Sequence, residues 1–308
     1  MSMPPDTEVI SPACGGPGLA SAGLGVGEYA SIAGFILLLG VLSFPLWEMT
    51  AQEWFRTGNE AYTHAPLMPF IAIYFIWDRR AELARLPVRF SWAGFACFLC
   101  GALIFVAGKI GADRFTGQVA IATLLIGLVW THFGNAITRQ VVFPLSLLYL
   151  MIPIPSIIYR NLSFNLQILS SKMSVGFMQL FALPVYREGN VINLSYTQLE
   201  VAEACSGITS LVSLITVAYI FAYIARTNFW ARLVLVLSAV PIAVFTNAFR
   251  IGGTGMLAHF WSVKAAEGFF HSFAGWLVFI VAFAILLGEN WLLGFLVSRR
   301  RPAEGPGR

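Results

Sequence analysis

"CSGITSLVSLITVAYIFAYIARTNFWARLVLVLSAVPIAVFTNAFR", residues 205–250, decides the fold. Two apolar runs, each long enough to cross the roughly 30 Å hydrocarbon layer of a bilayer as a helix, are parted by the short basic turn "RTNFWAR". The rest of the chain repeats the pattern. Of its 308 residues 58% are hydrophobic and 11% charged, and the mean hydropathy is +0.76, values that describe a polytopic membrane protein.

Spanning runs fall at 29–47, 61–77, 91–110, 117–134, 141–158, 205–225, 231–249 and 272–296. The expected fold is therefore all-α, with about eight transmembrane helices in one integral-membrane domain, 29–298. Pro66 and Pro69 interrupt the second run, and neighbouring helices can satisfy the backbone groups they release. Residues 1–28 are Gly-, Pro- and Ser-rich and read as a disordered leader. They contain no Lys or Arg, which argues against a cleaved signal peptide. Basic residues concentrate in "DRRAELARLPVR", "RTNFWAR" and the tail 299–308, so these segments and both termini are expected on the cytoplasmic side. No basic run suits nucleic acid.

The segment 159–204 is then an extracytoplasmic insertion before the sixth helix. Its first half places Leu162, Leu166, Leu169, Met173 and Phe177 at helical spacing, as an interfacial amphipathic helix does. Its second half, "REGNVINLSYTQLEVAEA", predicts a β-hairpin turning near 195–197.

The cysteines Cys14, Cys97, Cys100 and Cys205 form no disulfide framework. "CFLC" at 97–100 lies inside an apolar run and reads as helix packing, with no metal site implied. Cys205 begins a span, where the positive end of the helix dipole favours a thiolate. Its plainer reading is a small residue packed at a helix start. Arg250 ends the seventh run with no acidic residue nearby in sequence, and is either a functional membrane-edge charge or a snorkelling anchor. His271 begins the eighth, as an interfacial group or a base. The topology brings Cys205, Arg250 and His271 to the outer face together. A Cys–His pair with a fixed cation suits attack on a carbonyl through a thioacyl intermediate.

Of the remaining histidines, His64, in "YTHAPLMP", is a candidate to line the same cavity, His259 is a rival base, and His132 faces the cytoplasm. Glu203 is a candidate to hold Arg250 or His271, and Asn247 to orient a partner or substrate by hydrogen bonding. "GGTGML" at 252–257 reads as a flexible connection.

"YTHAPLMPFIAIYFIWDRR", "REGNVINL", "LEVAEACSGITSL", "NAFRI" and "EGFFHSFAGW", in that order, resemble the exosortase/archaeosortase family of membrane cysteine transpeptidases. Thr209 departs from the basic residue that many members carry shortly after Cys-Ser-Gly-Ile. The resemblance implies catalytic roles for Cys205, Arg250 and His271, and no cofactor. It implies as substrates secreted proteins ending in a Pro-Glu-Pro-type motif, a hydrophobic helix and a basic tail. It further implies a bacterial inner-membrane location with the site outside, and an acceptor linked in many bacteria to exopolysaccharide production. The alternative reading is a transporter or polysaccharide-assembly component that binds an anion through Arg250 and His271.

Overall fold

The structure, a computed structural model, describes residues 34, 37, 40, 44, 48, 50–52, 54, 60–195, 197–225, 228–261 and 269–299. Most of the run expected at 29–47, the leader 1–28 and nearly all of the tail 299–308 lie outside the described residues. The chain is an all-α polytopic membrane protein with one small sheet. Its elements are α1 (Met68–Asp78), α2 (Trp92–Ile110), α3 (Arg114–Leu150), α4 (Ser156–Leu180), α5 (Ile208–Ile224), α6 (Phe229–Phe260) and α7 (Phe269–Arg299). Between α4 and α5 come β1 (Tyr186–Glu188), β2 (Val191–Asn193) and β3 (Gln198–Glu200). Among the described residues four helices are long and apolar enough to cross a membrane: α2, α3, α6 and the stretch Phe273–Leu296 of α7. Ala65–Asp78 and Ile208–Ile224 are shorter apolar helices.

Helix α3 is a hairpin. Gly134 (φ 76°, ψ 178°) interrupts it, and the Thr123 hydroxyl meets the Tyr149 hydroxyl at 2.9 Å, whereas a straight helix would hold these positions about 39 Å apart. A side chain at Gly134 would strike the Arg89 carbonyl, 2.3 Å from its Cβ position, so close approach and positive φ both demand glycine there. The fifth span expected at 141–158 is thereby corrected. Its helix ends at Leu150, residues 151–155 are non-helical, and α4 begins after Pro155. Prolines at 153 and 155 supply the physical reason, because the residue before each is pushed out of the helical region.

The α2–α3 contact is built on small residues. A Cβ at Gly94 would lie 2.4 Å from the Thr131 nitrogen, and one at Gly127 2.5 Å from the Phe98 nitrogen. Between helices surrounded by lipid, such backbone approach supplies the packing that hydrophobicity cannot. Helices α5, α6 and α7 share a core of Leu211, Leu214, Ala218, Leu235, Ala239, Ala282 and Leu286.

Helix α4 forms as expected, and its apolar stripe is left largely uncovered by the rest of the chain, as in an interfacial helix. Of the apolar stripe only Leu166 is buried, while Leu162 and Leu169 are 37% and 43% exposed. The packed face holds Ser163, Gln167, Ser170, Ser171 and Ser174. It runs alongside α6, with Ser174 Oγ 2.8 Å from the Ala248 carbonyl, Phe177 against Gly252 and Met178 against Gly255. "GGTGML" is accordingly not a flexible connection. It is helical, because α6 continues to Phe260 rather than stopping near 249.

The sheet is antiparallel in the order β1-β2-β3. The expected hairpin is its β2–β3 half, closed by Leu194 N–H donating to the Thr197 carbonyl at 2.9 Å, and β1 adds a third strand. Val175, Met178, Leu183, Ile192, Val201 and Ile251 form the core that seats the sheet on α4 and α6, with Cys205 packed against it.

The two ends of the bundle differ in character. At one, Arg79 lies 4.9 Å over the Tyr223 ring and 3.4 Å from the Gln140 amide oxygen, and Arg89 touches Gly134. This end holds the basic segment "DRRAELARLPVR". At the other, the Ile154 N–H donates to Tyr62 Oη at 2.9 Å, and the sheet leads into Cys205.

Candidate functional site

Cys205 owes its position to a chain reversal rather than to a helix. Ala202 is extended, Glu203–Cys205 form a single 3₁₀ turn, and Gly207 (φ 83°, ψ 4°) precedes α5. The cysteine therefore stands three residues ahead of the α5 start, not within the span expected at 205–225. Gly207 is required twice over. Its backbone is left-handed, which costs other residues about 1–2 kcal/mol, and a Cβ there would lie 2.7 Å from the Asn247 side chain.

Asn247 is 1% exposed. Its Nδ2 donates to the Cys205 carbonyl at 3.0 Å and to Ser170 Oγ at 3.3 Å. One side chain thus ties α4 and α6 to the cysteine turn. This placement suits holding Cys205 in position rather than meeting a ligand.

Cys205 and Arg250 line one cleft of about 330 Å³ together with Leu199, Glu200, Val201, Ile251 and Thr254. Burial pushes the Cys205 thiol above its ordinary range, and the Arg250 charge opposes that shift. Burial is the larger effect, so the thiol rests protonated and needs a base to become a nucleophile. The dipole-stabilised thiolate expected from sequence is outweighed by desolvation.

Arg250 also bridges to α7. A Cβ at Gly275 would lie 3.4 Å from its Nη2 and 3.5 Å from its Cζ. His271 is four residues earlier, and residues four apart share a helix face. Its helical position is described, while its side chain lies outside the described residues.

The other candidates are dispersed. His64 is outside the cleft, its Nε2 3.3 Å from the Thr216 hydroxyl. Glu203 is exposed. After burial, its charge is the next cause raising the Tyr159 phenol, which Tyr62 raises further and a Thr209 hydrogen bond opposes. His259 lies in the last turn of α6, its ring edge-on to Phe260 at 5.0 Å. Cys97 is half-buried and Cys100 exposed, on α2. Three contributors escaped the sequence reading: Gly275 as the seat of Arg250, and Ser170 and Ser174 as the partners of α6. The glycine one turn after His271 in "HSFAG" was an available signal. The serines looked like the polar back of an amphipathic helix.

Comparison with the curated proteins and with the solved structures finds no match. A family model does match, that of the transmembrane exosortase (Exosortase_EpsH), over residues 47–288. The matched region takes in the sheet, the cysteine turn and most of α7, and on that extent the chain belongs to the transmembrane exosortase family, whose members process sorting signals in the membrane.

Proposed function

We propose that the protein is a cysteine protease/transpeptidase that cuts the C-terminal sorting signal of secreted proteins, with Cys205 as nucleophile, His271 as proton shuttle and Arg250 as electrostatic stabiliser. The observation that carries the reading is the shared cleft of Cys205 and Arg250, with the guanidinium seated against α7 one turn from His271.

In this reading His271 takes the Cys205 proton and the sulfur adds to the scissile carbonyl carbon. The C–N bond then breaks as the proton passes to the leaving amine, leaving a thioacyl-enzyme. Water or an acceptor amine releases the acyl group and restores the thiol. Arg250 faces the charge that develops on sulfur and on the carbonyl oxygen. In a half-buried cleft such stabilisation is worth about 10²–10³ in rate.

The site end lies outside a bacterial inner membrane, and the basic end and both termini lie in the cytoplasm. Substrates carry a Pro-Glu-Pro-type motif, one hydrophobic helix and a basic tail, which places the scissile bond just outside the membrane at the level of the cleft. The acceptor belongs to the cell surface, where exopolysaccharide is assembled.

The test is processing of such a tagged substrate by Cys205→Ser. Loss of processing with normal membrane insertion is expected. A Cys205→Ser protein that processes at the original rate overturns the proposal and leaves anion binding through Arg250 and His271 as the alternative.

A further inference from the structure

We infer that the open edge of β3 is the docking strand for the substrate, which adds to the sheet as a fourth, extended strand beside the cleft. The inference rests on the proposed peptide-cleaving function and names how the peptide is held.

The strand order leaves β3 at an edge. Its pairing fixes which backbone groups are spent. The Leu194–Thr197 and Asn190–Val201 hydrogen bonds flank the register Ile192↔Leu199. Hydrogen-bonded and non-hydrogen-bonded pairs alternate in an antiparallel ladder, so Leu199 turns its N–H and C=O toward β2. Gln198 and Glu200 then turn theirs to the open side. The Glu200 carbonyl accepts from Ala202 N–H at 3.0 Å. Among the described residues no backbone group pairs with the Gln198 N–H, the Gln198 carbonyl or the Glu200 N–H. Both residues are exposed.

This edge continues into the site. Leu199, Glu200 and Val201 line the same cleft as Cys205 and Arg250, and β3 ends at Glu200 just before the turn Glu203–Cys205. A chain paired along β3 is delivered to the thiol in the extended conformation that exposes a peptide carbonyl. Main-chain pairing supplies affinity with little demand on side chains. The occupant is the extended stretch of the substrate next to its scissile bond. The core beneath Ile192 and Val201 keeps the edge fixed while it pairs.

Two experiments test this, both using the full-length protein in lipid nanodiscs. The first measures cleavage of a synthetic peptide carrying an extended segment, a Pro-Glu-Pro motif, an apolar helix and an Arg-rich tail, by the variants Gln198→Pro and Gln198→Ala. Proline at 198 removes the outward N–H while leaving the Leu199 pairing to β2 intact. The expected result is a fall in kcat/KM of about five- to tenfold for the lost hydrogen bond, carried by KM. Alkylation of Cys205 by iodoacetamide should not change, and Gln198→Ala, which keeps the outward N–H, is the comparison against which the rise in KM of the proline variant is read.

The second experiment avoids any folding question by scanning N-methyl groups along the peptide against the unaltered protein. Strand addition predicts that methylation weakens cleavage at alternate residues only. Unchanged KM for Gln198→Pro, or an N-methyl scan without a two-residue period, overturns the docking mode while leaving the nucleophile intact. Cleavage that survives Cys205→Ser overturns the underlying function, and the docking inference with it.

Discussion

At the scale of single residues, the Cys205 thiol is set by two opposed effects. Burial raises its pKa and Arg250 lowers it. Removing the guanidinium leaves the thiolate with desolvation alone, so Arg250→Ala should move the pH profile of Cys205 alkylation upward and slow the reaction at any fixed pH near neutral. Substrate processing should fall further than alkylation does, by about 10²–10³-fold, because in the proposed reaction Arg250 also faces the oxyanion. An alkylation profile that does not move would show that the cation is not electrically coupled to the thiol. Cys205 and Arg250, which share one cleft, stand out in sequence against an apolar background. Their fine support does not. Nothing in the spacing of Asn247 announces that its amide donates to the Cys205 carbonyl across two elements, and a left-handed Gly207 is only visible once the 3₁₀ turn before it is known.

At the scale of elements, hydrophobic runs located the spanning helices, and the amphipathic pattern located α4, whose packing partners the pattern does not name. An interfacial helix turns its apolar stripe to lipid and leaves its polar face for the protein. Here Leu162 and Leu169 face outward, while Ser170 and Ser174 pack on α6. Small residues are what close helix contact needs, and their hydroxyls find backbone acceptors. The same physics governs the α2–α3 contact. Gly127→Ala places a methyl 2.5 Å from the Phe98 backbone, so the helices must separate. The expected cost is about 1–3 kcal/mol, read as a lower unfolding midpoint in detergent. Gly288→Ala, which meets nothing within 4 Å, is the control and should be neutral or slightly stabilising. Equal midpoints for the two variants would contradict the packing. The end of the fifth span was misplaced because an apolar stretch continues past Leu150, although Pro153 and Pro155 already mark where a helix cannot. The sheet was half legible: alternation and the turn residues at 195–197 gave β2–β3, while the tight reversal at Gly189–Asn190 that folds β1 onto β2 was not read as a second turn.

At the scale of the whole molecule, the bundle separates two chemistries along its length. Arg79, Arg89 and the Tyr223 end of α5 gather at one end, while the sheet, the cysteine turn and Arg250 occupy the other. The distribution of Lys and Arg predicts that the basic end is cytoplasmic. A membrane-impermeant thiol reagent applied to intact spheroplasts should therefore label Cys205 in a variant lacking the other cysteines. Labelling that appears only after the membrane is opened would reverse the orientation and exclude secreted substrates. In the proposed reaction Cys205 carries the acyl group during processing. This step is tested most directly by quenching a reaction with the tagged substrate and mapping the adduct by mass spectrometry. A hydroxylamine-sensitive thioester on Cys205 is the expected result. An adduct on another residue, or cleavage at the full rate by Cys205→Ser, would contradict the proposed reaction.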